Sequence, residues 1–101
     1  MKIIAITACP TGIAHTYMAA EQLEKTAKKL GHTIKVETQG AMGIENELSP
    51  ADIAAAEVAI FAVDIAVEQA ERFTNLRRIE VPVQQAIKNP EGLFARAQAG
   101  A

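Results

Sequence analysis

The sequence predicts an α/β fold: an open parallel four-stranded sheet, order 2-1-3-4, with helices on both faces. Three observations carry this expectation. Strand-length apolar segments alternate with segments of helical period, which calls for parallel strands joined by right-handed crossovers. Residues 2–7 and Val58–Val63 are apolar nearly throughout, as strands covered on both faces are, so they belong in the middle. Residues 33–39 and Arg78–Val81 alternate, so they flank the central pair. Winding then reverses between strands one and three, and in open α/β sheets the ligand crevice lies beyond the carboxyl ends of the strands at that reversal.

Taken in order, residues 2–7 form the first strand and a helix follows over Ile13–Leu30. Ile13, Tyr17, Ala20, Leu23, Ala27 and Leu30 recur at three- and four-residue spacing and give it a core-facing stripe. Glu21–Lys25 and Glu24–Lys28 are i,i+4 pairs on its wet side. Lys28 and Lys29 suit the negative end of the helix dipole and Gly31 supplies the stop, so the lysines read as a solvated helix end. In the second strand Ile34, Val36 and Thr38 share one side, and Lys35, Glu37 and Gln39 the wetter one. Gly40 and Gly43 frame a loop in which Met42 and Ile44 act as packed anchors and Glu45 and Glu47 as solvated charges. Ser49-Pro50-Ala51-Asp52 reads as an N-cap, a proline at the first helical position and a first-turn acid, opening a short helix to about Ala56. After the third strand comes a short helix around residues 67–73 with Arg72 exposed on it. The fourth strand ends at Pro82, and Val83–Lys88 is helical. Residues 1–88 form one domain and residues 89–101 a C-terminal helix or linker.

Chemistry concentrates in Cys9-Pro10-Thr11-Gly12-Ile13-Ala14-His15-Thr16, where the first strand gives way to the first helix. A helix N-terminus offers backbone N–H groups with no intrahelical partner and the positive end of a dipole, so the loop is a P-loop-like phosphate cradle. Cys9 is the chain's one cysteine and stands at its mouth, where a thiolate is favoured. Pro10 keeps Cys9 extended, so the helix cannot start before the loop turns. Gly12 allows a close approach to an oxyanion. Thr11 and Thr16 offer hydroxyl donors, and His15 offers a cation or a proton. Asp64, just past the third strand, falls at the same switch point as a possible auxiliary group. Arg77 and Arg78 belong to the opposite, amino-terminal edge.

Bulk properties narrow the classes. The 101 residues carry a net charge of −2, which argues against nucleic acid or an anionic membrane as the main partner. A lone cysteine excludes an internal disulfide and suits a reducing, cytoplasmic setting. The longest later apolar run, residues 58–67, is interrupted by Asp64 and too short to cross a bilayer, so no membrane insertion is expected. Glu45 and Glu47 have no histidine or further carboxylate at ligand spacing, and no metal is expected.

Three activities then compete: a phosphoryl carrier, a low-molecular-weight cysteine phosphatase or arsenate reductase-like enzyme, and a binding module with an incidental cysteine. The phosphatase pattern C-x5-R-[ST] is matched except that His15 stands where the arginine fork would be. No clear general acid is present for a leaving alcohol. A carrier instead needs a covalent intermediate kept from water until an acceptor docks.

The stretches ACPTGIAHTYMAAE, ETQGAMGIEN and LSPADIAAAEVAIFAVD, with Glu71-Arg72-Phe73, resemble the B component (IIB) of the fructose-specific phosphoenolpyruvate-dependent sugar phosphotransferase system. The resemblance runs from Lys2 to about Lys88. It implies that a phosphohistidine on the IIA component, charged from phosphoenolpyruvate through upstream carriers, donates to Cys9. Phosphocysteine would then phosphorylate fructose, or a related sugar, held by the membrane IIC component. Only Cys9 carries over as the phosphorylated residue; the rest of the loop matches by position, and no cofactor is implied.

Overall fold

The two continuously apolar segments form the centre of the sheet in a computed structural model that describes residues 1–9, 13–40 and 43–99. They are β1 (Lys2–Ala8) and β4 (Val58–Val63), paired in parallel with Ile3 opposite Val58 and Ala8 opposite Val63. β2 (Thr33–Gly40) runs parallel along the other side of β1, and β5 (Arg78–Val81) along the other side of β4. The four anticipated strands thus lie in the anticipated sequence across the sheet. The sheet itself is mixed and five-stranded, order β3-β2-β1-β4-β5, which corrects the four-stranded, all-parallel expectation. The addition is β3 (Gly43–Glu45), antiparallel to β2. Three residues are too few to show a period, and Gly43, at φ 85°, turns the chain back where a side chain would be strained.

Helices cover both faces. α1 (Ile13–Leu30), α3 (Val83–Lys88) and α4 (Pro90–Gln98) bury Leu23, Val83, Leu93 and Phe94 against Ile3, Ala5, Val58 and Ile60. On the other face, α2 (Pro50–Ala55) and a 3-10 turn at Ala70–Phe73 cover Ile4, Ile6 and Phe61, with Leu48 and Phe73 buried there. Phe61 and Phe73 meet edge to face at 5.4 Å. Ser49 caps α2 as expected, in a reciprocal capping box with Asp52. That box and Lys35 hold the Asp52 carboxyl down at about 2, the Ser49 backbone bond acting most strongly.

Several local expectations are corrected. In α1 the buried positions are Thr16, Ala19, Ala20, Leu23, Thr26 and Ala27, whereas Tyr17 and Leu30 are exposed. These two lie toward the helix ends, and the Tyr17 hydroxyl instead donates to Glu45 on β3. The Ile13 side chain and Met42 lie outside the described part. The helix expected around residues 67–73 is only the 3-10 turn. Arg72 on that turn is largely buried, and of the supposed wet side of β2 only Lys35 is exposed; Glu37 and Gln39 are buried. Residues 90–98 are helical, with Leu93, Phe94 and Ala97 in the core, and Arg77 holds the helix by donating to the Arg96 and Ala97 carbonyls.

Candidate functional site

Parallel pairing of β1 with β4 places Cys9 and Asp64 side by side at the carboxyl end of the two central strands. The Asp64 N–H donates to the Ala8 carbonyl at 2.9 Å, continuing the ladder one residue past the strands. The helix after the loop is fixed to the same strand, because the Thr7 hydroxyl donates to the Thr16 carbonyl at 3.1 Å. Cys9, His15 and Asp64 consequently line one cleft of about 220 Å³, closed on the far side by Val83, Gln84 and Ile87 of α3.

Not every residue stands as anticipated. Cys9 is only 6% exposed, so the thiol forms the cleft wall rather than standing open at its mouth. Ala14 and His15 are exposed on the first turn of α1, and Thr16 is buried. Pro10, Thr11 and Gly12 lie outside the described residues. Asp64 is exposed, and its Oδ1 accepts the Val83 N–H at 3.2 Å, which ties the end of β4 to the start of α3. Val83 and Gln84 went unnoticed in the sequence as site residues; their signal was the return of a helix after the fourth strand, which brings α3 over the switch point. Arg77 binds α4 at the opposite edge, as expected of a residue preceding β5.

A second polar cluster lies on the same rim, under the other face. The fully buried Glu37 carboxylate accepts from Arg72 Nη1 at 3.0 Å and Nη2 at 2.9 Å, from the Leu48 N–H at 2.9 Å and from Gln39 Nε2 at 2.7 Å. Burial alone would raise its pKa, but the bonds from Arg72, Leu48 and Gln39 together hold it below the usual carboxylate range. The same pairing keeps the Arg72 guanidinium protonated more firmly still. Gln39 reaches onward, donating to the Glu68 carbonyl at 3.2 Å and accepting the Glu68 N–H at 2.8 Å. A roomier cleft of about 600 Å³, between α2 and the 3-10 turn, is mostly lined by apolar residues such as Leu48, Ile53 and Leu76. It holds no nucleophile, so the cleft with reactive chemistry is the smaller one at Cys9. Among the described residues no three His, Cys, Asp or Glu side chains are grouped to hold a metal, and no helix is long and apolar enough to cross a membrane.

The chain is similar in sequence and fold to known proteins. A family model described as "PTS system, Lactose/Cellobiose specific IIB subunit" matches residues 4–96. The "PTS system fructose-like EIIB component 2" of Escherichia coli (strain K12) is 47% identical over 98 residues, covering 97% of this chain and 92% of that protein. The solution structure of the Enzyme IIB subunit of the PTS system from Escherichia coli K12 superposes with a TM-score of 0.90 at 45% identity, over 96% of this chain and 90% of that one. A crystal structure of a domain from the fructose-specific IIABC component (PTS system) of Borrelia burgdorferi gives 0.89 at 46% identity, over 94% and 90%.

Proposed function

The chain belongs to the IIB family of the sugar phosphotransferase system, and from that premise we propose that Cys9 is its phosphoryl-carrying residue. The observation that carries the reading is the shared cleft: the one thiol of the chain lies at the switch point, between the first turn of α1 and Asp64. The Cys9 thiolate attacks the phosphorus of a phosphohistidine on a IIA donor. An S–P bond forms, the P–N bond breaks, and its electron pair stays on the imidazole nitrogen. A hydroxyl of fructose, or of a related sugar held by a membrane IIC component, then attacks the same phosphorus. The S–P bond breaks, the thiolate returns, and the hydroxyl proton passes to a base beside the sugar. The protein works on the cytoplasmic side, alternating between these two partners.

Within this reading, the backbone N–H groups of Pro10-Thr11-Gly12-Ile13-Ala14-His15-Thr16 that are not committed to the helix, Pro10 having none, hold the phosphoryl oxygens, and His15 adds a donor at the cleft edge. Asp64 lines the same cleft and, through the Val83 N–H its Oδ1 accepts, ties the start of α3 to the end of β4. His15 in the place of an arginine fork disfavours hydrolysis of the phosphatase type.

Intact mass measured after incubation with phosphoenolpyruvate, the upstream carriers and a fructose-type IIA component tests the proposal. The parent gains one phosphoryl group and Cys9→Ser gains none. Loading of the serine variant, or no loading of the parent, would overturn it.

A further inference from the structure

The Asp64–Cys9 wall continues into a stretch with little secondary structure of its own: residues 64–69 run from the end of β4 to the 3-10 turn as bends and turns. At its start the stretch is fixed by Asp64, bonded to Ala8 and Val83. At its far end, both backbone groups of Glu68 are taken by one side chain, Gln39. Arg72 adds bonds to the Glu68 carbonyl at 3.3 Å and to the Gln69 carbonyl at 3.0 Å. Gln69 itself sits in the left-handed region at φ 58°, a conformation that a non-glycine residue keeps only when its surroundings impose it.

Glu37 sets the orientation of both gripping side chains. By accepting from Gln39 Nε2 it fixes which atom of that amide meets the Glu68 carbonyl and which the Glu68 N–H, and by accepting two bonds from Arg72 it fixes the guanidinium plane. It also takes the Leu48 N–H, so the chain returning from β3 is held by the same carboxylate. A buried ion pair is poor evidence of stability, because apolar residues of the same volume often serve as well. What this cluster supplies that apolar residues cannot is direction: four donors from three separated segments converge on one carboxylate.

We propose that Glu37, Gln39 and Arg72 are positioning residues that hold the 64–69 segment, whose first residue, Asp64, lines the Cys9 cleft. The expected effect on phosphoryl transfer rests on the carrier reading of Cys9. The clamp itself does not, and the two fail separately.

Gln39→Leu deletes both Gln39 bonds to the Glu68 backbone while leaving the Glu37–Arg72 pair and the Arg72 bond to the Glu68 carbonyl in place, and Glu37→Gln keeps the volume while weakening both grips. Three measurements are made on each variant that melts cooperatively: amide hydrogen exchange at Glu68, alkylation of Cys9 by iodoacetamide, and the rate of Cys9 phosphorylation against IIA concentration. In Gln39→Leu, Glu68 exchanges faster and Cys9 alkylates several-fold faster, because the wall beside a nearly buried thiol has loosened. Maximal phosphorylation falls about tenfold with little change in the KM for IIA, as misplacement of reacting groups requires. Faster exchange at Glu68 with alkylation and phosphorylation both at parental values would overturn the proposal. So would a loss of rate that follows only the unfolded fraction as temperature is varied. A parent that never gains a phosphoryl group would sink the carrier reading; faster alkylation of Gln39→Leu would still uphold the clamp, and unchanged alkylation would sink both.

Discussion

On the α1 face of the sheet, Ile3, Ala5, Val58 and Ile60 meet Leu23, Leu93 and Phe94, and the polar groups buried beside them on β1 and α1 are the uncharged hydroxyls of Thr7, Thr16 and Thr26. On the opposite face Ile4, Ile6 and Phe61 meet Leu48 and Phe73, but Glu37 stands opposite Ile6 in the register and brings Arg72 in with it. α2, the helix on that side, buries none of its residues. One face is therefore held by volume and contact, which tolerate substitution in kind. The other is completed by charge and direction, which do not survive the loss of one partner.

The contrast can be attacked from either side. Phe94→Ala on the first face should cost about 4 kcal/mol by chemical denaturation, because a fully buried ring leaves a cavity. Phe94→Leu should restore most of it. Arg72→Leu on the second face should cost about 3 kcal/mol by leaving the Glu37 carboxylate unpaired, somewhat softened because the guanidinium edge still touches water. Here the rescue comes from removing the other charge: Glu37→Leu with Arg72→Leu should recover much of the loss. A double variant no better than the single one would mean that charge pairing is not what completes the second face.

Acid separates the faces without mutation. Glu37 and Asp52 both ionise below their ordinary ranges in the folded protein. The stability they contribute is complete above the carboxylate values of the unfolded chain and is lost as pH falls through the folded ones. For Asp52 that window runs from 3.8 down to about 2. Denaturation midpoints should therefore drop across this range, and Glu37→Gln should drop less steeply than the parent. Smallest of all is the exposed Lys29–Glu91 pair at 3.4 Å between α1 and α4. Lys29→Ala should change stability by less than about 0.5 kcal/mol, measured the same way.

The apolar skeleton was legible because continuous runs and helical spacing report burial directly. Residues 2–7 and Val58–Val63 took the central places their composition demanded. The alternation of β2 carried less information than it appeared to, since a polar residue every second position fits water and a buried partner equally well. Lys35 met water and Asp52, whereas Glu37 met Arg72, 35 residues away, and nothing local marks such a pair. Tyr17 was misplaced for a related reason: helical spacing shows which side a residue occupies but not where the underlying sheet stops. At the site, the sequence drew Cys9, His15 and Asp64 together, while the depth of the thiol depended on how α3 closes over it.

Arg77 fastens the last turn of α4 beside the start of β5, and Met1 accepts the Thr33 N–H beside the start of β1. Both lie at the pole of the sheet away from Cys9. A fluorophore or a surface linkage attached near either residue would leave the thiol cleft facing free solution, so encounters with a IIA donor could be followed on an immobilised sample without the anchor standing in the approach path.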